Sequence, residues 1–222
     1  MNAMGREGRR VRVWDLPVRL FHWSLVALLA TSWISAEMGG NAMQIHQWSG
    51  VSVLTLVLFR LLWGFLGGTH ARFASFVRSP RAALTYGCAV MRGDPPRYLG
   101  HNPLGGWMVL ALLTSLGVQA GTGLFANDDI MIEGPLAVHV SKATSDLLTQ
   151  VHEVNFNVLL ALIAVHVLAA LYYLVFRRDN LIMPMITGSK AAEGDDARGG
   201  APWRAVLLLA LSGGAVWLLL QE

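Results

Sequence analysis

Four of the seven histidines, His22, His46, His152 and His166, lie within or at the edges of long apolar stretches. An ionisable group in hydrocarbon is costly, about 2.5–3.5 kcal/mol for a charge at a helix centre on insertion scales, so such residues usually mark function, although a neutral imidazole costs less. Any one of them alone reads equally well as an interfacial or hydrogen-bonded side chain. The spacing of the set says more. His152 and His166 lie in one apolar run, and at 100° per residue their separation returns to within about 40° of the same face while rising about 21 Å. They share a helix face at two levels of a bilayer. Imidazole nitrogens ligate transition metals, so histidines from other segments meeting these two would make a pair of metal-binding stations.

The elements that must position them are membrane spans. Hydrophobic residues make up 54% of the 222 and charged residues only 14%, outside the usual range for a soluble domain. Apolar runs fall at 18–36, 47–67, 104–125, 152–176 and 203–220, each about the length that crosses a hydrocarbon core of about 30 Å. The expected fold is all-α and integral to the membrane: a four-helix transmembrane bundle plus a fifth, C-terminal transmembrane helix. The first run follows basic residues and ends in Ile34, Ser35 and Ala36, as a cleaved signal peptide would, but its length and its Trp14-Asp15-Leu16-Pro17 and Phe21-His22-Trp23 segments favour a retained span. Cys88 is the only cysteine, which leaves no disulfide, no Cys-pair zinc site and no C-x-x-C-H attachment of a haem within the chain.

Charge orders the spans. Arg6, Arg9, Arg10, Arg12 and Arg19 accompany the start of the first; Arg72, Arg78, Arg81, Arg92 and Arg97 separate the second from the third; Arg177, Arg178, Lys190, Arg198 and Arg204 separate the fourth from the fifth. The segments at 37–46 and 126–151 hold Lys142 alone as a cation, against Asp128, Asp129, Glu133 and Asp146. The positive-inside rule puts the N-terminus in the cytoplasm and Gln221-Glu222 outside. Arginines set beside apolar blocks, without aromatic interleaving on a polar face, argue against nucleic acid. With this topology His22 and His166 fall at the inner level, His46 and His152 at the outer. Each matched pair suits the two axial positions of a haem iron, and two bis-histidine haems stacked along the membrane normal would carry electrons across it.

The segments Trp14-Asp15-Leu16-Pro17-Val18-Arg19-Leu20-Phe21-His22-Trp23, His46-Gln47-Trp48-Ser49-Gly50, Phe59-Arg60-Leu61-Leu62-Trp63-Gly64-Phe65 and His152 through His166 resemble the bacterial cytochrome b561 family. The likeness is greatest to the branch containing the b-type cytochrome subunits of nickel-iron hydrogenases, and it covers about residues 11–190. It implies a di-haem electron carrier of the bacterial inner membrane, with two haem b ligated from the first, second and fourth spans by His22, His46, His152 and His166. It also implies contact with the quinone pool at one end and, at the other, a periplasmic redox protein such as a c-type cytochrome or hydrogenase. Residues 1–187 would form the di-haem domain, 188–202 a flexible linker, and 203–222 the last helix. Family relatives also oxidise superoxide or quinol directly, so whether the chain is itself an enzyme stays open; no nucleophile or proton-abstracting triad is visible. Haem-free alternatives are a histidine-containing proton channel or transporter, or a bare anchor for a redox complex.

Other residues are assigned by the same reasoning. Arg60, one turn short of the cytoplasmic end of its span, either snorkels to headgroups or pairs with a propionate of the inner haem; the second is favoured, because a guanidinium fits a carboxylate. Arg19 is a weaker candidate for the same task. Gly105, Gly106, Gly117, Gly121 and Gly123 on the third span point to close helix packing, or else to clearance for a porphyrin edge. Trp14, Trp23, Trp48, Trp63 and Trp107 read mostly as interfacial belt residues. Asn155 and Asn157 read as hydrogen-bonding a neighbouring helix. His70, His101 and His139 read as surface residues, and the acidic outer segment as solvated. Ser79-Pro80 marks the start of a short interfacial helix through Met91.

Overall fold

A computed structural model of the chain describes residues 9–130, 132–192 and 195–221; Arg6 and Glu222 of the charge pattern lie outside them. Strand β1 (Arg10–Arg12) leads into helix α1 (Leu16–Met38), which a short 3-10 turn joins to α2 (Met43–Leu66). Two short helices, α3 (Phe73–Phe76) and α4 (Pro80–Met91), precede α5 (Pro103–Gly123). Then come α6 (Lys142–Val175), α7 (Ile182–Thr187), strand β2 (Ser189–Ala191) and α8 (Pro202–Leu219). Among the described residues five helices, α1, α2, α5, α6 and α8, are long and apolar enough to cross a membrane. The protein is an all-α integral membrane bundle, as its composition requires.

Helix starts follow from local chemistry. The Asp15 carboxylate accepts from Val18 N at 2.9 Å, Ser79 Oγ from Ala82 N at 3.3 Å, and Asn102 Oδ1 from Gly105 N at 2.8 Å. Each satisfies a backbone N–H that the first turn leaves unpaired. Prolines at Pro17, Pro80, Pro103 and Pro202 occupy the first or second helical position, where their missing N–H is harmless.

Helix α6 begins ten residues before the apolar run that announces it. Lys142 and Asp146 hide this first part from a hydropathy reading. At 1.5 Å per residue α6 is about 51 Å long, more than a hydrocarbon core of about 30 Å, so its acidic start projects beyond it.

α1 packs on α2, α2 on α5, and α5 on α6, while α8 lies against α2 and α1. The outer helix α6 is held mainly by α5 and stands away from α1 and α2. Its only buried residues are Ser145 and Leu159. Leu159 joins Val53, Val57, Leu116 and Ala120 in one core cluster. A second cluster, with Val13, Trp14, Val18, Phe21, Phe59, Trp63, Ala71, Leu113, Ala205 and Leu208, fills the end where α1 begins, called the basic end below.

That end is tied down more firmly than the sequence implies. Within the segment read as a linker, β2 pairs antiparallel with β1, from Arg10 with Ala191 to Arg12 with Ser189. Lys190 is ion-paired to Asp179, Asp196 accepts from Arg12 N at 2.8 Å and Arg9 at 3.0 Å, and Thr69 N donates to Arg198 O at 2.9 Å. The partners come from the distant N-terminus and the α2–α3 turn, which composition alone does not bring together. Trp14 and Trp63 depart from the belt expectation in the same way. Both are buried, Trp63 completely: the Trp63 indole N–H donates to Asp15 at 3.2 Å, and Trp14 belongs to the same core cluster. Trp23, Trp48 and Trp107 are exposed, as belt residues would be.

Asp15 therefore caps α1, receives the Trp63 indole and receives Gly68 N at 3.3 Å. Replacing Asp15 by Ala should lower the thermal unfolding midpoint in detergent by more than loss of an N-cap, about 1 kcal/mol. The added cost is the buried Trp63 N–H left without an acceptor, about 1–3 kcal/mol. Asp15→Asn, which keeps an acceptor, should lose less; equal midpoints for all three proteins would refute the tie.

Candidate functional site

Two histidine pairs face each other across the space between α6 and the α1–α2 pair. The ring centres of His22 on α1 and His166 on α6 are 6.4 Å apart, and those of His46 on α2 and His152 on α6 are 6.1 Å apart. Leu159 lies midway along α6 between His152 and His166, and its cluster with Val53, Val57, Leu116 and Ala120 forms an apolar layer between the two pairs. His22/His166 is nearer the basic end and His46/His152 nearer the acidic end.

The two pairs differ in how their rings are held. At the acidic end His46 Nδ1 lies 2.9 Å from Ser32 O and His152 Nδ1 2.9 Å from Gln119 O. A carbonyl only accepts, so each Nδ1 carries the proton and each Nε2 keeps a free lone pair. Ser32 Oγ at 3.1 Å and Thr122 Oγ1 at 3.2 Å flank the same nitrogens. At the basic end His22 Nδ1 is buried with no hydrogen-bond partner among the described residues, and it shares that state with Arg19 Nε, Arg60 Nη1 and His101 Nδ1.

Arg60 is 4% exposed, so it does not snorkel to a headgroup. Its guanidinium lies 5.2 Å from the centre of the Phe73 ring. Phe73 reaches that position because Gly64 has no side chain: a Cβ there would stand 2.0 Å from the Phe73 ring. Arg19 donates to the Ile186 carbonyl, which leaves it less free than Arg60 for any other acceptor.

The sequence profile of prokaryotic cytochrome b561 matches residues 13–188. The chain belongs to that family. Among curated relatives, a "Probable Ni/Fe-hydrogenase B-type cytochrome subunit" of Bradyrhizobium diazoefficiens is 24% identical, over 85% of this chain and 88% of its own length. Proteins of the same name from Rhizobium leguminosarum bv. viciae (24% identical; 83% of this chain, 90% of theirs) and Azotobacter chroococcum (25%; 86% and 92%) are similar to the same extent. As a cytochrome b561 family member the chain is a multi-pass bacterial membrane protein that binds b-type haem and serves electron transfer.

The residues present fit such a group. Two imidazoles bound end-on to one metal, with bonds of about 2 Å, place their ring centres about 6 Å apart, close to both spacings observed here. The helices also leave room. Gly117 follows the buried stripe of Leu113 and Ala120 on α5, and Gly50 that of Val53 and Val57 on α2. Yet a Cβ at Gly50, Gly117 or Gly121 would meet no atom within 4 Å, and all three glycines sit near the level of His46 and His152. Gly106 and Gly123 serve packing instead, against Phe76 O and the His152 ring. At the basic end, the unpartnered buried nitrogens of Arg19, Arg60 and His101 are suited to the carboxylates that a haem carries.

His101 is the residue that sequence reasoning missed. Expected at the surface, its ring instead lies between Trp14, 4.7 Å away, and Phe76, 4.6 Å away. Burial, then the charge of Arg60, and then His166 and His70 push its pKa down to about 3, so the ring is neutral with one N–H to offer. His70 is also partly buried, against Trp14 at 6.4 Å, and burial lowers its pKa; His139 is exposed as expected. No signal in the sequence marks His101, because Trp14 and Phe76 approach it from remote segments. Asn155 does bind a neighbouring helix, donating to Ser115 O at 2.9 Å and Gln119 Oε1 at 2.7 Å. Asn157 only bonds its own helix, through Glu153 O.

A Cβ at Gly123 would stand 2.9 Å from His152 Cε1 and 3.2 Å from Nδ1, so Gly123→Ala should push the ring off the Gln119 carbonyl. The expected result is a weaker Soret band per chain at unchanged folded yield. Gly87→Ala, whose Cβ would make only an ordinary contact at 3.8 Å, serves as control. A normal Soret band in Gly123→Ala would contradict the role of this clearance.

Proposed function

We propose that the chain carries electrons across the bacterial inner membrane through two b-type haems, one held by His22 and His166, the other by His46 and His152. The observation that supports this best is the pairing itself: two opposed imidazole pairs, with ring centres 6.4 and 6.1 Å apart, at two levels of one face of α6. Haem iron bound there supplies one-electron redox chemistry. The chain's own residues do the rest. Ser32 and Gln119 carbonyls fix the tautomer and direction of His46 and His152, as outer-shell acceptors do for metal-bound histidines. Arg60 on α2 offers a buried donor, and Arg19 on α1 a second, to the propionates of the basic-end haem. The layer around Leu159 keeps water out of the interval between the sites.

The arginine-rich segments support an orientation with the N-terminus in the cytoplasm and the C-terminus in the periplasm. In that orientation His22/His166 is the cytoplasmic site. The quinone pool in the lipid is the proposed partner at one end, and a periplasmic redox protein, a c-type cytochrome or a hydrogenase, at the other. The printed name of the relatives favours the hydrogenase type. Reduction of the purified chain by superoxide or quinol alone would move the reading to an oxidoreductase, and colourless protein would move it to a channel or an anchor.

Alanine at His22 or His166 should remove one haem, and alanine at His46 or His152 the other; the double variants within a pair should lose no more than the singles. Haem content per chain and the low-temperature α-band of each variant test this. Loss of different haems by His22→Ala and His166→Ala, or of none, would refute the pairing.

A further inference from the structure

Helix α6 is joined to α5 inside the apolar span by two polar attachments, about one turn apart on both helices. In the first, His152 Nδ1 lies 2.9 Å from Gln119 O. In the second, Asn155 Nδ2 donates to Ser115 O at 2.9 Å. A carbonyl oxygen has two lone pairs, so each can accept across the interface and still serve its own helix. The Asn155 amide is used almost completely. Its Nδ2 also donates to Gln119 Oε1 at 2.7 Å, and its Oδ1 accepts from Ser115 Oγ at 3.1 Å. Ser115 is buried, and in lipid no water competes for these groups. Asn157 is different: it is exposed and bonds only Glu153 O of its own helix.

A single attachment would leave α6 free to roll about its axis. Residues 152 and 155 differ by about 60° around the helix and about 4.5 Å along it, so two bonds from them to α5 fix the roll. Beyond Asn155, the described residues give α6 no side-chain hydrogen bond to another helix until Tyr173 meets Tyr86 and Asn102. At the acidic-end site the roll therefore depends on Asn155. The plane of the His152 ring follows from it, and that ring stands at 77° to His46. His46 is held separately, from α1, by Ser32, so a roll of α6 would change the angle between the two rings.

We infer that Asn155 is a positioning residue for the acidic-end site: through Ser115 O and the Gln119 side chain it fixes the roll of α6, and so sets the plane in which the His152 imidazole meets a metal. This rests on His46 and His152 being the ligands of one haem. The angle between two axial imidazole planes governs the anisotropy of a low-spin ferric iron, and the most anisotropic signals come from planes near perpendicular. The EPR spectrum of the oxidised protein therefore reads the ring angle directly.

The test uses the full-length protein in lipid nanodiscs. His166→Ala isolates the acidic-end haem and His152→Ala the basic-end haem. In the His166→Ala background, Asn155→Leu should shift the lowest-field EPR feature to higher field and broaden it, because the His152 ring is no longer held near perpendicular to His46. In the His152→Ala background the same substitution should leave the signal where it was, and Asn157→Leu should leave both signals unchanged. An unaltered acidic-end signal in Asn155→Leu, even with a lower folded yield, would reduce Asn155 to a packing residue and overturn the inference. Equal changes at both ends would also overturn it. If Asn155→Leu does not fold, Gln119→Met decides, since it removes one of the two acceptors and keeps the Asn155 bond to Ser115 O: a smaller shift in the same direction is expected, and no shift would overturn the inference. Failure of the histidine variants to remove separate haems would instead overturn the haem assignment itself.

Discussion

A histidine in a membrane interior is costly when its ring nitrogens go unpartnered, because no water is at hand to meet them. Helix α6 carries two such histidines on one face and packs chiefly against α5, so that face looks across a gap at α1 and α2. Of the membrane-spanning part of α6 only Leu159 is buried in protein. The imidazoles above and below it are met by imidazoles, His46 opposite His152 and His22 opposite His166. The remainder of the bundle can be understood as the means of keeping that face open and those four rings aligned.

Most of the rigidity lies at the basic end. Asp15 joins the start of α1 to the end of α2 through Trp63. The α3 turn wedges Phe73 against Gly64 and, through the Phe76 carbonyl, approaches Gly106 of α5. The β1–β2 pair joins the segment before α1 to the one after α7 over this region. The fifth span buttresses α2 and α1 with Ala205, Leu208, Ser212 and Val216, on helices that carry His22 and His46, and it keeps clear of the gap in front of α6. These are helix-to-helix ties made where small residues allow close approach, as expected when lipid gives no hydrophobic incentive for helices to associate.

The spans, their number and the matching of histidine depths were legible in the sequence, because each rests on local quantities. Apolar length identifies a span, alternation of charged segments orders the spans, and the separation of His152 from His166 puts both on one face. What could not be read depends on partners far apart in the chain. His101 is sandwiched by Trp14 and Phe76, Trp63 leaves the belt because Asp15 takes its N–H, and the Gly- and Asp-rich stretch after α7 is anchored by Arg9, Arg12 and Thr69. The early start of α6 was hidden for a different reason, since its first turns carry charge and only the Ser141 cap, accepting from Thr144 N at 3.2 Å, announces them. Asp15, Asn102 and the prolines that open α1, α5 and α8 were readable as helix starts, but apolar length had already claimed those segments.

The most direct measurement of the central claim is the pyridine haemochrome stoichiometry of the purified, full-length chain against its protein concentration by amino-acid analysis. The account requires two protohaems per polypeptide, both extractable by acidified acetone because the chain holds no C-x-x-C-H attachment and its one cysteine, Cys88, is exposed on α4. A single haem, or none, in folded protein would contradict it.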